Sequence, residues 1–270
     1  MCLTLDRSRM SKTIVYGAEV LHEGVLKHVM GYQNTAENLS PGPNAMLLPI
    51  PSAVPLGPTA ALDMTPAKGI LKEYADYFQP RARRGLKSMG FGADTRDSIH
   101  VFTSGSYTVV LAQDAAAIPS ALSYVPADRR PAVKQAIFDA YARLYPGWSV
   151  ALACYDGTIE AEPIAFVYEP LDPSSIFLPG LDGHDGEPPR LGTDVKRDHT
   201  LVWASSAMKN GYKAAHKDPL PPNLAPFFPG IIGGTLLTGR AANGDFRVDI
   251  ATMATAKSWE EAPVRLHVPS

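Results

Sequence analysis

The chain of 270 residues has few cysteines, almost no net charge and no long apolar run. Its two cysteines, Cys2 and Cys154, do not suggest a disulfide framework and are typical of a reducing compartment. The net charge of −2 excludes a global field that would attract nucleic acid or an acidic membrane. No apolar run reaches the roughly 20 residues of a membrane-spanning helix, and residues 1–13 lack the apolar core of a secretory signal. The sequence therefore predicts a soluble, cytoplasmic protein without a membrane partner.

What is abundant is proline. The chain has 25 prolines, about twice the usual share, and they are spread along it rather than repeated. Apolar residues make up 45% and charged residues 19%, which is ordinary for a globular protein. This composition predicts many turns and short elements around a packed core, and not a collagen-like or low-complexity segment.

Several stretches have clear local patterns. Residues 13–20 and 25–33 are β-like runs on either side of Gly24, which predicts a hairpin. Residues 148–155 are apolar on both faces, as a central strand would be. Residues 128–145 carry an apolar stripe at helical spacing, with Asp128 as the predicted N-cap.

Strands mostly follow strands, without a regular alternation of strand and helix. The predicted fold class is therefore α+β, with a mostly antiparallel sheet of short strands and two or three helices. No stretch has the composition of a flexible linker. We expect a single α+β domain over residues 1–270, with two packed halves, 1–147 and 148–270, as the alternative.

The best candidate for a site is the segment 181–200, LDGHDGEPPRLGTDVKRDHT. Imidazole and carboxylate groups bind divalent metals or transfer protons, and a Gly/Pro-rich loop usually exposes such groups to solvent. The predicted catalytic residues are His184, His199, Asp185 and Glu187. The predicted metal ligands are His184, His199, Asp182 and Asp198.

The chemistry depends on how the chain enters and leaves this loop. Residues 177–179 end one predicted strand, and Asp198 and His199 open the next. If the two strand ends are neighbours in a sheet, His184 and His199 approach each other across the loop. Two imidazoles and a carboxylate match the ligands of catalytic zinc or non-haem iron, and manganese is a further candidate. Without a metal, an Asp–His pair would act as a general base.

The same residues also fit a structural role. Aspartates in a Gly/Pro-rich loop often accept hydrogen bonds from backbone N–H groups and so stabilise turns. The spacing does not match HExxH or another established metal motif. A solvated, capped turn is therefore the alternative to a catalytic loop.

Part of the chain resembles an uncharacterised family of bacterial proteins. The similar segments are 162–166 (EPIAF), 177–187 (FLPGLDGHDGE) and 198–201 (DHTL), all within residues 148–201. In that family a strand ending in F-x-P leads into a His-Asp-Gly loop and then an Asp-His pair. The family has no assigned activity, so the resemblance implies a role for Asp182, His184, Asp185, Asp198 and His199 without naming a reaction.

Two further features of the sequence are candidate sites. The basic run 80–87, PRARRGLK, could hold phosphates through Arg81, Arg83, Arg84 and Lys87, with Tyr77 and Phe78 close by for base stacking. The alternative is a solvated helix end, where cations interact favourably with the helix dipole. Cys2 would become an N-terminal nucleophile if Met1 were removed, as in N-terminal-nucleophile amidohydrolases.

Three function classes follow from these features. The first is a metal-dependent or acid/base enzyme, such as a hydrolase, centred on the His/Asp loop. The second is a non-catalytic binding or assembly protein, including a homo-oligomer, in which that loop is a capped turn. The third is a phosphate or nucleic-acid binder that uses the basic run, which the net charge does not favour.

Overall fold

A computed structural model describes residues 3–78, 100–216, 218–256 and 264–267. In chain order its strands are β1 (Leu3–Thr4), β2 (Ser8–His22), β3 (Val25–Asn38), β4 (Asn44–Ile50), β5 (His100–Ser104), β6 (Tyr107–Ala112), β7 (Ser149–Tyr155), β8 (Thr158–Glu160), β9 (Ile164–Tyr168), β10 (Ser175–Leu178), β11 (Asp194–Ser205), β12 (Tyr212–Lys213), β13 (Ile231–Ala242), β14 (Asp245–Asp249) and β15 (Val264–His267). The α-helices are α1 (Ile70–Ala75), α2 (Ile118–Ala121), α3 (Gln135–Leu144) and α4 (Ile250–Thr255).

The first sheet has five antiparallel strands in the order β1-β4-β7-β6-β5. All residues of β7 are buried, which confirms the prediction of a central strand that is covered on both faces. Pro49 in β4 lies opposite Val150 of β7, whereas β1 pairs only with Met46 and Leu47. Pro49 thus lies where β4 is locally an edge, which is where a strand tolerates a residue without an N–H.

The second sheet has seven strands. Its path is β12-β13-β11-β2-β3-β8, and β9 also pairs with β3. Only the β11–β2 ladder is parallel among the pairs that the structure describes. The predicted β2–β3 hairpin is confirmed, with positive φ angles at Glu23 (51°) and Gly24 (78°), as a type I′ turn requires.

The third sheet is small and antiparallel, in the order β10-β14-β15. The main core lies between the two large sheets, and β10, β14 and α4 contribute residues to it. A second core packs α2 and α3 on the other face of the five-stranded sheet. A third packs α1 on the outer face of the seven-stranded sheet. Both large sheets contain strands from before and from after residue 147.

This architecture confirms the predicted α+β class with mostly antiparallel sheets. Four short α-helices occur in the described residues, against the two or three expected. The predicted helix 128–145 begins late, because α3 starts at Gln135 and Lys134, not Asp128, precedes it. Arg130 explains the difference, since its guanidinium donates to the carbonyl oxygens of Ser123 and Val125 and holds the preceding segment in a turn. No helix in the described part of the chain is long and apolar enough to cross a membrane.

Candidate functional site

The His/Asp loop connects strands of two different sheets. It leaves β10, which pairs with β14, and enters β11, which pairs with β13 and β2. The two strand ends are therefore not neighbours in one sheet, and the condition for bringing His184 and His199 together across the loop is not met. Instead the loop packs against the N-terminal strands. The N–H of Thr4 donates to the Gly183 carbonyl at 2.8 Å, and that of Ser8 to the His184 carbonyl at 3.1 Å.

Two side chains hold the start of the loop, Asn243 from the β13–β14 turn and Asp245 from the first position of β14. The buried Asp245 accepts hydrogen bonds from the N–H groups of Gly180 (2.7 Å) and Leu181 (2.9 Å) and from the Tyr145 hydroxyl (2.6 Å). The Asn243 side chain accepts from the Asp182 N–H at 2.8 Å and donates to the Asp182 carbonyl at 2.7 Å. These bonds replace the strand pairing that the loop lacks, so its backbone is fixed.

A buried arginine completes this anchor. Arg197 is 2% exposed, and its guanidinium donates to the carbonyl oxygens of Gly180, Ala242 and Gly244. It also lies 5.2 Å from the Phe246 ring centroid, a cation–π distance. Burial lowers the pKa of Arg197, and the nearby carboxylates of Asp182 and Asp245 oppose this. Because an arginine remains charged in proteins, the two carboxylates balance a buried cation.

Asp182 and His184 form the one imidazole–carboxylate pair of the loop. The Nε2 atom of His184 lies 3.3 Å from Oδ1 of Asp182, and the two side chains are 16% and 9% exposed. A carboxylate that orients an imidazole is the arrangement of a general base. Here, however, the same carboxylate also neighbours Arg197 in the buried anchor, so it has a structural role as well.

The other two catalytic candidates of the loop are on the surface. Oδ1 of Asp185 accepts the Glu187 N–H at 3.2 Å, and Oδ2 lies 3.4 Å from Arg190. The first bond is a side-chain cap of a turn, as in the structural alternative. The second joins two side chains that are more than half exposed, and such pairs contribute little. Both contacts of Asp185 therefore lie at the surface of the loop.

Asp198 and His199 lie within β11 rather than at its start, and adjacent strand residues face opposite sides of a sheet. Asp198 accepts the Lys12 N–H at 2.9 Å, at the irregularity in the β2–β3 ladder. Burial raises the pKa of Asp198. His199 is fully buried on the core side, with its ring centroid 6.4 Å from that of Phe246. Neither of its ring nitrogens has a hydrogen-bond partner within the described residues.

The predicted metal ligands are therefore not brought together as one set. No group of three or more His, Cys, Asp or Glu side chains in the described residues is arranged to hold a metal ion. The reason is that Asp198 and His199 are adjacent residues of β11, so their side chains lie on opposite faces of the sheet. Asp182 and His184 lie in the loop before this strand. Of the predicted set Asp182, His184, Asp198 and His199, only Asp182 and His184 form a close pair in the described residues.

The basic run, with Arg81, Arg83, Arg84 and Lys87, lies outside the described residues, as does Cys2. The two aromatic residues that precede the run are described. Tyr77 and Phe78 contact Tyr212, with ring centroids 5.5 Å and 5.3 Å away. The Tyr77 hydroxyl also bonds to the backbone of Lys213 and Ala215. These rings hold β12 to the end of α1, which is a structural role.

Sequence reasoning missed Asn243, Asp245, Arg197 and Tyr145. One signal was available for Arg197, because it alternates with His199, Leu201 and Trp203 on the core side of β11. A charged residue in that register needs buried partners. No local pattern pointed to Asp245 as the partner.

A row of polar side chains on neighbouring strands crosses the seven-stranded sheet. The ladders place Ser205 beside Glu19, Glu19 beside His28, and His28 beside Tyr168. The Ser205 hydroxyl donates to Oε2 of Glu19 at 2.5 Å. Burial lowers the pKa of His28 to about 4, although the charges of Glu19 and Asp172 oppose this. His28 is therefore a neutral core residue.

The outer edge of β13 is open over most of its length in the described structure. On this side β12 pairs only with Ile231 and Ile232. The next bond of that ladder, from the Ala214 N–H to the Gly230 carbonyl, shows that even-numbered residues face outward. The β11–β13 ladder continues without a register shift, so Gly234, Leu236 and Thr238 direct their N–H and C=O groups away from β11. Of these, Gly234 is buried beside the Phe78 ring, whereas Leu236 is half-buried and Thr238 is exposed.

Comparisons with known proteins give little further guidance. No family model matches the chain, and no curated protein matches it. Among solved structures, the crystal structure of baculovirus P35 aligns with 100% of this chain and 95% of its own, at 12% sequence identity and a TM-score of 0.45. A likeness this distant does not define a family.

Proposed function

We propose that this protein is a non-catalytic binding or assembly protein that pairs with an extended segment along the open edge of β13. The observation that carries the proposal is the pair of outward-facing residues Leu236 and Thr238, whose backbone groups no strand covers in the described residues. An exposed strand edge is a template for adding a further strand, and the main-chain hydrogen bonds supply affinity.

The chemistry of the edge supports this use. Residues 231–239, IIGGTLLTG, contain no charged side chain. Proteins usually protect an open edge with charges, prolines or very short strands. Here the first charge is Arg240, and it is already paired with Asp194 at 2.5 Å. The edge therefore favours an uncharged segment with a high tendency to form strands.

The geometry gives the enzyme hypothesis less support. It retains the Asp182–His184 pair, but Asp182 belongs to the buried anchor and Asp185 caps a turn. His199 lies in the core. The start of the loop is fixed by bonds from Asn243 and Asp245, which is what a structural turn needs.

A labelled peptide with the sequence of residues 231–239, flanked by lysines for solubility, provides a test. Fluorescence anisotropy should rise when the peptide is titrated with the protein. A peptide that is N-methylated at alternate residues, on the edge that pairs, should not bind, because it cannot form the ladder. The Leu236→Pro protein should also fail to bind, since it loses an outward N–H and leaves the β11 ladder unchanged.

The matched control is Leu236→Ala, which keeps the N–H and should bind the peptide within about threefold of the wild type, because backbone groups carry most of the affinity. Circular dichroism and urea unfolding would verify that both variants fold. Absence of binding to the wild type, or equal binding of the N-methylated peptide, would contradict the proposal.

A further inference from the structure

Thr13 and His199 carry polar atoms in the core that have no hydrogen-bond partner in the described residues. The two residues are aligned in the parallel β2–β11 ladder, so their side chains lie on the same face, and both are 0% exposed. The Oγ1 atom of Thr13 and both ring nitrogens of His199 are buried without a partner there. A buried polar atom that is left unpaired is costly, and in native proteins a protein group or an ordered water usually meets it.

An irregularity in β2 explains why Thr13 is available. The β2–β3 ladder shifts register after Ser11, and Lys12 in this bulge has a φ of 53°. A bulge leaves one residue outside the ladder and changes the direction of the side chains beside it. Asp198 accepts the Lys12 N–H and so helps to hold the bulge. Thr13 thus lies beside His199 across a strand spacing of about 4.8 Å.

We infer that one buried water molecule bridges the Thr13 hydroxyl and the His199 ring. Two hydrogen bonds of about 2.8 Å each span the spacing between neighbouring strands, whereas the two side chains form no direct bond. A hydroxyl and a neutral imidazole each offer a donor and an acceptor, and so does water. This inference is independent of the proposed function, because it concerns the core side of β11 and not the edge of β13.

The surroundings favour water over an ion or a larger ligand. Arg197 lies two residues earlier on the same face of β11, and its positive charge disfavours a bound cation. The carboxylates of Asp182 and Asp245 already act on that charge, so a bound anion would add a third negative charge to a buried site with one cation. Full burial of Thr13 and His199 excludes a larger ligand.

Thr13→Val tests the bridge through the sign of its effect on the melting temperature. Valine has the shape of threonine but no hydroxyl. With a water bound, the variant breaks the bridge, and the melting temperature should fall by about 3 °C. With the atoms unpaired, valine removes a buried unsatisfied hydroxyl, and the melting temperature should rise. Thr238→Val makes the same change at an exposed position of β13, and should stay within about 1 °C of the wild type.

A high-resolution crystal structure tests the occupant directly. A density peak should lie about 2.7–3.2 Å from Oγ1 of Thr13 and from one ring nitrogen of His199, and it should be missing in crystals of Thr13→Val. A soak in sodium bromide distinguishes water from an anion, because bromide gives an anomalous signal. No peak, an anomalous peak at this position, a direct bond between the two side chains, or a melting temperature of Thr13→Val at or above that of the wild type would each overturn the inference.

Discussion

At pH 7 the buried His28 is neutral, and its protonation on acidification should destabilise the folded protein. Its pKa is about 4 in the folded chain, against 6.5 for an ordinary histidine, and burial is the main cause. The unfolded chain therefore takes up a proton first as the pH falls. This stabilising contribution is complete above pH 6.5 and is lost as the pH falls toward 4.

The magnitude follows from the two values. At about 1.4 kcal/mol per pH unit, the difference amounts to roughly 3.4 kcal/mol once the pH is well below both values. Between pH 7 and pH 4.5 the same relation gives a loss of about 2.4 kcal/mol. This loss is a large part of the 5–15 kcal/mol that is typical of a folded domain.

The test compares His28→Phe with the wild type. Phenylalanine cannot take up a proton and keeps an aromatic ring beside Tyr168, whose ring centroid lies 6.0 Å from that of His28. Urea unfolding at pH 7 and pH 4.5 gives four free energies. The wild type should lose about 2.4 kcal/mol more than the variant between the two pH values, because other titrating groups contribute equally to both. A difference below about 0.5 kcal/mol would refute the assignment.

Two further predictions concern the anchor and the packing of the sheets. Asp245→Ala removes the acceptor of three hydrogen bonds and a carboxylate beside the buried Arg197. It should lower the free energy of unfolding, measured in urea, by about 3–5 kcal/mol. A loss below about 1 kcal/mol would contradict the role of Asp245 in holding the loop. Gly17→Ala should cost about 1–3 kcal/mol, because its Cβ would lie 2.3 Å from Ile176 Cγ2, whereas Gly42→Ala, with no atom within 4 Å, should be nearly neutral by thermal unfolding.

Local patterns predicted those parts of the fold that depend on local physics. The β2–β3 hairpin follows from alternating residues around Gly24, and β7 from a run that is apolar on both faces. The start of α3 was not predictable in this way. Asp128 has the chemistry of a cap, but Arg130 folds the preceding backbone into a turn. The hydrogen bonds of Arg130 that decide where the helix begins go to Ser123 and Val125, which lie outside the helical pattern.

The candidate site was predicted less well, for a similar reason. The composition of the loop singled out Asp182 and His184 among its candidates, and these two side chains lie 3.3 Å apart in the structure. Placing His199 required knowledge of where β11 begins, and pairing with β13 extends that strand back to Asp194. The charges of Arg197 in β11 and Asp245 in β14 interact. No spacing in the sequence indicates that these two strands are close together.

The parallel ladder between β2 and β11 has a consequence for how the chain acquires its structure. It aligns Thr13 with His199 and Glu19 with Ser205, so the middle of the largest sheet closes a gap of 186 residues. Contacts this far apart in sequence form slowly. During synthesis the edge of β2 that pairs with β11 stays without its partner strand until the residues up to Ser205 have left the ribosome. We therefore expect nascent chains that stop short of Ser205 to aggregate and to depend on chaperones.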